Sequence, residues 1–355
     1  MTVAELQQIA SKITPQWLTR CFHQGGHFPN GEVITLTIED IQKHHFSLNV
    51  IYSSEITPQF PSRLILKWYD HKYAFGVGEG LFYAQIVPAM STPPVPRCFA
   101  AQIGQGQEPT YILLEDVSKT HYAASFPYDN LSQEVFEQVT LSLASIHAHW
   151  WNHPRIHQPD MTRHAMLGVA HEAISPAITQ QNAQYFSDKI LPARIDQLGD
   201  VFPKVWQQTC ERIIPAWATL FSDRIASESN LTLIQGDAQL GNTMLPRSPK
   251  RHRPMLIDWE GCIRGIGAWD LARTLVQTEF SSEKRKHLEA VLLPHYQGAL
   301  EQQDIKNYTY DACLADYQLC ILTNVLHALS FETASYLASA MQAFQDWSCE
   351  DLLAV

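Results

Sequence analysis

The sequence predicts an α/β (α+β) chain in two parts: a small sheet-rich part first, then a larger and mainly helical part. Three observations predict it. Apolar residues alternate with strand period through much of the first 115 or so residues. From Asn130 onward they recur with helix period. The length, 355 residues with 45% hydrophobic and 17% charged, exceeds one ordinary domain and supplies an ample core. A disordered chain, a coiled coil and a collagen-like fibre are excluded on the same numbers.

Taken in order, Thr14-Pro15 reads as an N-cap followed by proline at the first helical position, so a short helix runs through Trp17 to Phe22. Residues 33–40 place Ile34, Leu36 and Ile38 on one strand face. Leu48 to Ser53 and Arg63 to Tyr69 are further strands, separated by the polar turn Ser54 to Ser62. Leu81 to Met90 has helical length and is stopped by Ser91-Thr92-Pro93-Pro94. Arg97 to Ile103 and Thr110 to Val117 form a hairpin around Gly104-Gln105-Gly106. Asn130 and Gln133 suggest a capping box ahead of a helix whose stripe is Val135, Phe136, Val139, Leu143, Ile146 and Trp150. Helical text fills 170–228 and 269–353, interrupted by strand-like runs at Leu231 to Gln235 and Met255 to Asp258. The boundary is expected near Glu115 to Ser118, giving parts 1–116 and 117–355.

Charge and cysteine usage bound the function. With 25 Lys and Arg against 36 Asp and Glu, the net charge is −11. That argues against a large basic surface for duplex DNA, and no nucleic-acid partner is expected. Met1 to Leu6 carries no basic region or apolar core, so a secretory signal is not expected, nor is a membrane span. The seven cysteines are odd in number and include no CxxC pair. Free thiols in the cytoplasm fit this better than disulfides or zinc.

The strongest chemical signal is Gln235-Gly236-Asp237-Ala238-Gln239-Leu240-Gly241-Asn242, followed by Leu256-Ile257-Asp258-Trp259-Glu260-Gly261. Each carboxylate ends a short apolar run. Two carboxylates and an amide oxygen converging on one place form a hard-oxygen site suited to Mg²⁺ on nucleotide phosphates. A carboxylate left off the metal could take a proton from an attacking hydroxyl. The alternative is that these aspartates merely cap turns or helices. Lys67 lies mid-strand among Leu64, Ile65, Leu66 and Trp68, with Glu79 twelve residues later. Such a lysine either points to solvent or turns inward, where it needs a carboxylate partner.

Lys67, Glu79, Asp237, Asn242 and Asp258 occur in the order and spacing of the protein-kinase-like fold. The chain resembles the aminoglycoside phosphotransferase and choline kinase superfamily, and within it the ecdysteroid kinase-like group of small-molecule kinases. Glu79-Gly80-Leu81-Phe82-Tyr83, Pro96-Arg97-Cys98-Phe99, Leu113 to Ser118, Ala144 to Trp151, Gly267 to Ala272 and Asp316-Tyr317 resemble further motifs of that group, over roughly residues 33–330. The resemblance implies a bilobal protein-kinase-like fold and ATP-dependent phosphoryl transfer to a hydroxyl group of a small molecule. It implies Asp237 as catalytic base or orienter of the hydroxyl, and Asn242 and Asp258 as Mg²⁺ ligands. Lys67, braced by Glu79, would contact the phosphates, the backbone of Glu115 and Val117 would hold adenine, and Asp270 would support the catalytic loop.

The family pattern is broken at three places. Gln235 stands where His is usual, and Gln239-Leu240 where aminoglycoside kinases place His and Pro. The expected phosphate-covering loop, Lys43 to Asn49, has no glycine, which leaves Ser47 to meet a phosphate through its hydroxyl and N–H. These departures motivate a second reading, an inactive nucleotide-binding scaffold. A protein kinase fits poorly, since no Arg precedes Asp237 and no Ala-Pro-Glu follows Asp258. Gly76-Val77-Gly78-Glu79-Gly80 has the wrong spacing for a dinucleotide fingerprint and reads as a turn into the following helix. His147 reads as a satisfied core histidine. The acidic charge hints at a cationic acceptor, and the aromatic content equally permits a hydrophobic alcohol.

Overall fold

The computed structural model describes every residue except 1–2, 54–59, 71–73, 126–127, 159–174, 277–279, 332 and 354–355. Part of the expected turn at 54–62, and residues 170–174 of the expected helical region, lie outside the described residues. The chain divides into two compact units, 1–122 with 246–252, and 123–245 with 253–355. The expected division lay at 116/117; here the first unit continues through Tyr122 and takes back a short later segment.

The first unit opens with α1 (Val3–Ala10) and α2 (Pro15–Gln24), the latter capped by Thr14, whose side chain accepts the Trp17 N–H. Then follow β1 (Val33–Gln42), β2 (His45–Tyr52), β3 (Arg63–Tyr69), α3 (Ala74–Leu81), β4 (Cys98–Gln102) and β5 (Thr110–Glu115). The five strands form one sheet in the order β1-β2-β3-β5-β4, and every neighbouring pair is antiparallel. One face carries Phe46, Leu48, Leu64, Leu66, Trp68, Tyr111 and Leu113 into a core closed by Leu18, Cys21 and Phe22 of α2. Strand alternation sends the intervening residues to the opposite face, among them Ser47, Ile65, Lys67 and Tyr69.

Three sequence expectations change here. Ile34 is 52% exposed and does not share a buried face with Leu36 and Ile38. The pairing slips between Val33 and Thr35, and such an irregularity re-aims the side chain within it. The stretch expected as a glycine-free loop is mostly strand: Lys43 and His44 make the turn, Lys43 at φ +54°, and β2 begins at His45. Ser47 therefore sits inside β2, opposite Asp40 on β1 and Ile65 on β3.

The third change concerns α3. Gly76, Gly78 and Gly80 lie within a helix and not in a turn before one. Glycine costs a helix about 1 kcal/mol relative to alanine, which favours the turn on propensity alone. Packing overrides it. A Cβ at Gly76 would overlap the Tyr69 ring, and one at Gly80 would overlap the Thr110 methyl. The bare backbone brings α3 close onto β3 and β5, which delivers Glu79 to the sheet. A π-helical turn, Phe82–Ile86, and a 3₁₀ turn, Val87–Ala89, continue the segment.

At the boundary lies β6 (His121–Ala123). The second unit contains α4 (Gln133–Trp150), α5 (Pro176–Tyr185), α6 (Leu191–Leu198) and α7 (Lys204–Ala226). Short strands β7 (Thr232–Ile234), β8 (Thr243–Pro246), β9 (Met255–Leu256) and β10 (Ile263–Gly265) follow. Then come α8 (Ala268–Leu275), α9 (Ser282–Gln302), α10 (Tyr310–Ser330) and α11 (Ala334–Asp346). The α4 stripe is buried as expected at Phe136, Val139, Leu143, Ile146 and Trp150. Its cap is Ser132, which makes no side-chain cap bond; Asn130 is taken up by a 3₁₀ turn, so no capping box forms. Among the described residues α10 is long and apolar enough, by length and composition, to cross a membrane, but most of it is buried within the unit as a core helix is.

Two glycines separate packing from propensity. Gly76→Ala should lower stability by about 1–3 kcal/mol, because the new methyl meets Tyr69. Gly298→Ala, inside α9 with nothing near its Cβ position, should raise stability by about 0.5–1 kcal/mol. Denaturant unfolding followed by circular dichroism measures both.

Candidate active site

In the first unit the chemistry-bearing residues gather on the sheet face away from the α2 core. Lys67 is 6% exposed and Glu79 is fully buried. The ammonium donates to both carboxylate oxygens, at 2.7 Å and 2.9 Å. The Tyr69 hydroxyl, two residues along the same strand face, also donates to Glu79. The inward reading of Lys67 therefore holds, and Glu79 is its partner. A buried ion pair is a costly element, so its value lies in holding the lysine head in one place. At the end of β5, the Glu115 N–H donates to the Arg97 carbonyl at 2.9 Å. Asp116 accepts the Ser118 N–H at 2.8 Å and Arg63 Nε at 2.9 Å. Burial acts to raise the Asp116 carboxyl, but the Ser118 and Arg63 hydrogen bonds outweigh it and hold the group below its usual value. The Val117 carbonyl accepts from the Thr120 and His121 N–H groups, while its own N–H finds no acceptor among the described residues.

In the second unit, two loops are joined through backbone contacts. The Ile257 N–H donates to the Asn242 carbonyl at 2.9 Å, just beyond the pairing of Thr243 with Leu256. The buried Gln235 side chain donates to the Ile257 carbonyl at 2.5 Å. The amide thus supplies a neutral tether between loops, a task that needs a donor but no charge. Gly236 has φ +84°, and a Cβ there would overlap the Gly261 carbonyl. Only glycine suits both the conformation and the approach. Asp237, Asn242 and Asp258 all belong to these two joined loops.

Asp237 accepts hydrogen bonds at both oxygens. Arg273 Nε and Nη2 reach Oδ1 at 3.0 Å and 2.9 Å. Gln239 Nε2 and Asn242 Nδ2 reach Oδ2 at 3.0 Å and 3.1 Å. Asn242 Nδ2 also donates to the Asp237 carbonyl at 2.9 Å. With its nitrogen so engaged, the amide turns its oxygen away, and no donor from the described residues reaches that oxygen. Asp258 has a left-handed backbone, φ +62° and ψ +68°, ahead of the 3₁₀ turn Trp259–Gly261. Aspartate tolerates that region better than most residues, but the conformation still costs on the order of 1 kcal/mol. Asp258 and Asn242 stand on the two joined loops and carry side-chain oxygens, the donor type that Mg²⁺ takes. Among the described residues no group of three or more His, Cys, Asp or Glu gathers at one metal-sized place.

Helix α8 holds this loop. The buried Asp270 carboxylate accepts the Gln235 and Gly236 N–H groups at 2.7 Å and 3.0 Å. His147 bonds the same carboxylate at 3.1 Å and the Tyr296 hydroxyl at 2.7 Å, which makes it a satisfied core residue. Trp269 Nε1 donates to the Gly236 carbonyl at 2.7 Å, and Thr274 Oγ1 to the Ala238 carbonyl at 2.6 Å. Trp269, Asp270, Arg273 and Thr274 occupy one helix face at i, i+1, i+4 and i+5. Sequence reasoning found Asp270 and missed Arg273 and Thr274. The available signal was two polar side chains at helical spacing from Trp269-Asp270 in an otherwise apolar segment.

Asp270→Ala should destabilise the protein by about 2–5 kcal/mol, because two backbone donors and a histidine lose a buried acceptor. Equilibrium urea unfolding checks this.

Among protein-family models, the ecdysteroid kinase-like family matches residues 71–310. Among solved structures, a protein assigned as an aminoglycoside phosphotransferase from Ralstonia eutropha is similar at 13% identity. Its TM-score is 0.51, over 89% of this chain and 93% of that one. An ethanolamine kinase from Plasmodium vivax matches at 12% identity and TM-score 0.47, over 88% and 81% of the two chains. Choline kinase LicA from Streptococcus pneumoniae matches at 12% identity and TM-score 0.45, over 91% and 94%. A search of curated proteins gave no match. At such identities, the likeness to the first of these structures establishes a shared kinase-like fold and no more.

Proposed function

The chain belongs to the ecdysteroid kinase-like family, and from that membership we propose that it transfers the γ-phosphoryl group of ATP to a hydroxyl group of a small molecule. The observation that supports the proposal is the joined loop pair of the second unit, which carries one pinned carboxylate, Asp237, and two further residues with side-chain oxygens, Asn242 and Asp258. The buried Lys67–Glu79 pair supports it, as a fixed cation suited to phosphate oxygens.

In this reaction the acceptor oxygen forms a bond to the γ-phosphorus. The bond from that phosphorus to the bridging oxygen breaks, and ADP leaves. The hydroxyl proton passes to Asp237 and on to solvent. Phosphoryl transfer asks little covalent chemistry of the protein, so the residues act mainly by orientation and charge. Asp237 orients the hydroxyl. Lys67 neutralises phosphate charge. The Val117 N–H, at the end of the segment fixed by Arg63 and Asp116, is suited to an adenine nitrogen, with the Glu115 carbonyl as its companion. Asn242 and Asp258 would hold Mg²⁺, which when bound neutralises charge on the phosphates. Ser47, inside β2 and not in a loop, is assigned to phosphate contact only through the face it shares with Lys67. The partner is a small hydroxyl compound.

The short turn at Lys43 and His44, without glycine, is the one feature that favours a nucleotide-binding scaffold without turnover. A thermal-shift screen with Mg²⁺–ATP and a panel of alcohols, followed by mass spectrometry for one added phosphate, separates the readings. Binding without product across the panel supports the scaffold. Asp237→Ala should lose about 100-fold or more in kcat while still binding Mg²⁺–ATP. Asp258→Ala should lose Mg²⁺-dependent ATP affinity by calorimetry, and unchanged affinity would remove Asp258 from the metal site.

A further inference from the structure

Asp237 is far more solvent-accessible than the arginine that holds it: its side chain is 39% exposed, against 9% for Arg273. The nearly buried arginine therefore meets a carboxylate that is still partly exposed to solvent. Its Nε and Nη2 both go to one oxygen, Oδ1, while the two amides of Gln239 and Asn242 hold Oδ2. A carboxylate gripped at both oxygens by four donors has no rotational freedom about its terminal torsion. The arginine is itself held. It rises from α8 on the face that Asp270 and Thr274 pin to the loop, and its guanidinium lies over the Tyr336 ring at 5.2 Å. Tyr336 is in turn fixed, donating to Asn324 at 2.7 Å and meeting His327 at 3.0 Å. Burial first, and then the Arg273 charge, hold His327 well below its usual value, so it stays neutral next to the cation.

We propose that Arg273 is a positioning residue: it sets the orientation in which Asp237 meets the acceptor hydroxyl. The inference rests on the phosphotransferase reading and adds to it a residue outside the loop pair. A dissociative transfer needs the hydroxyl aligned with the phosphorus more than it needs a strong base, and a misplacement of about 1 Å costs about 100-fold. Arg273 supplies that alignment through Asp237 without contact with nucleotide or acceptor. A lysine could keep the charge but not the two-nitrogen grip on Oδ1.

The test uses the full chain with Mg²⁺–ATP, any alcohol that the panel shows to be phosphorylated, and water as the default acceptor. Arg273→Gln should lower kcat about 10- to 100-fold with the KM for ATP and calorimetric ATP affinity unchanged. Arg273→Lys should recover part of the loss. In the Asp237→Asn background, Arg273→Gln should cost little more, because both changes remove the same pinned carboxylate. Wild-type kcat in Arg273→Gln overturns the proposal. So does a full additional loss in the Asp237→Asn background, or a fall in ATP affinity that matches the fall in kcat. If Arg273→Gln does not fold, Arg273→Lys decides alone: an intermediate kcat at unchanged ATP affinity upholds the proposal, and wild-type kcat overturns it. If the wild-type chain transfers phosphate to none of these acceptors, water included, the phosphotransferase reading falls and takes this one with it; an active wild type with an indifferent Arg273→Gln overturns this one alone.

Discussion

A buried carboxylate, Asp270, carries the architecture of the second unit's site. It has no exposure to water, and its charge is met by two backbone N–H groups and by His147. Those donors are not interchangeable with water. An ionised group at that depth without them would cost several kcal/mol, so the loop at Gln235-Gly236 and the helix that carries Asp270 must form together. From that anchor the rest follows by covalent reach. Asp237 is the next residue after the second donor, and Arg273 lies one helical turn beyond the anchor itself. The same short helix thus fixes both the backbone of the Gln235–Asp237 loop and, through Arg273, the side chain on it.

The first unit solves a similar problem by another route. Lys67 and Glu79 are buried as an ion pair, with Tyr69 as a third member. Close packing makes the pair possible: glycines at 76 and 80 let α3 approach the sheet nearer than any side chain would allow. The helix accepts poor intrinsic propensity in return for one well-placed carboxylate. Local preference and tertiary packing disagree here, and such disagreements tend to mark functional positions. The left-handed backbone at Asp258 and the positive φ at Gly236 are two more in the other unit.

The departures from the family pattern acquire physical content in the structure. Gln235 takes a tethering role through its amide, which donates to a carbonyl without placing a charge at a buried position. Gln239 becomes one of the two amide donors on Asp237 Oδ2. Both glutamines are thus hydrogen-bonded within the loop network. The glycine-free turn at Lys43 and His44 is different in kind. It shortens the connection between β1 and β2 and moves Ser47 into the strand, so any contact with phosphates at that edge differs from a covering glycine loop.

What the linear order of residues determined was the chemistry on offer. Two acidic loops, a lysine with a downstream glutamate, and the change from strand period to helix period were all readable, because each depends on residue type and short-range spacing. The strands β3, β4 and β5 and the stripe of α4 were legible for the same reason. Of the short strands, β7 and β9 were read from the apolar runs that lead into Asp237 and Asp258, while β8 and β10 carry neither such a run nor periodicity. Only the tertiary structure decided that Gly76 to Gly80 is helix, that Ser47 is strand, and that Arg273 grips Asp237 across 36 residues of chain. Each of those depends on contacts between segments far apart in sequence. Local propensity misjudges the first two and is silent on the third, because the free energy that settles them comes from packing and from pairing buried charges.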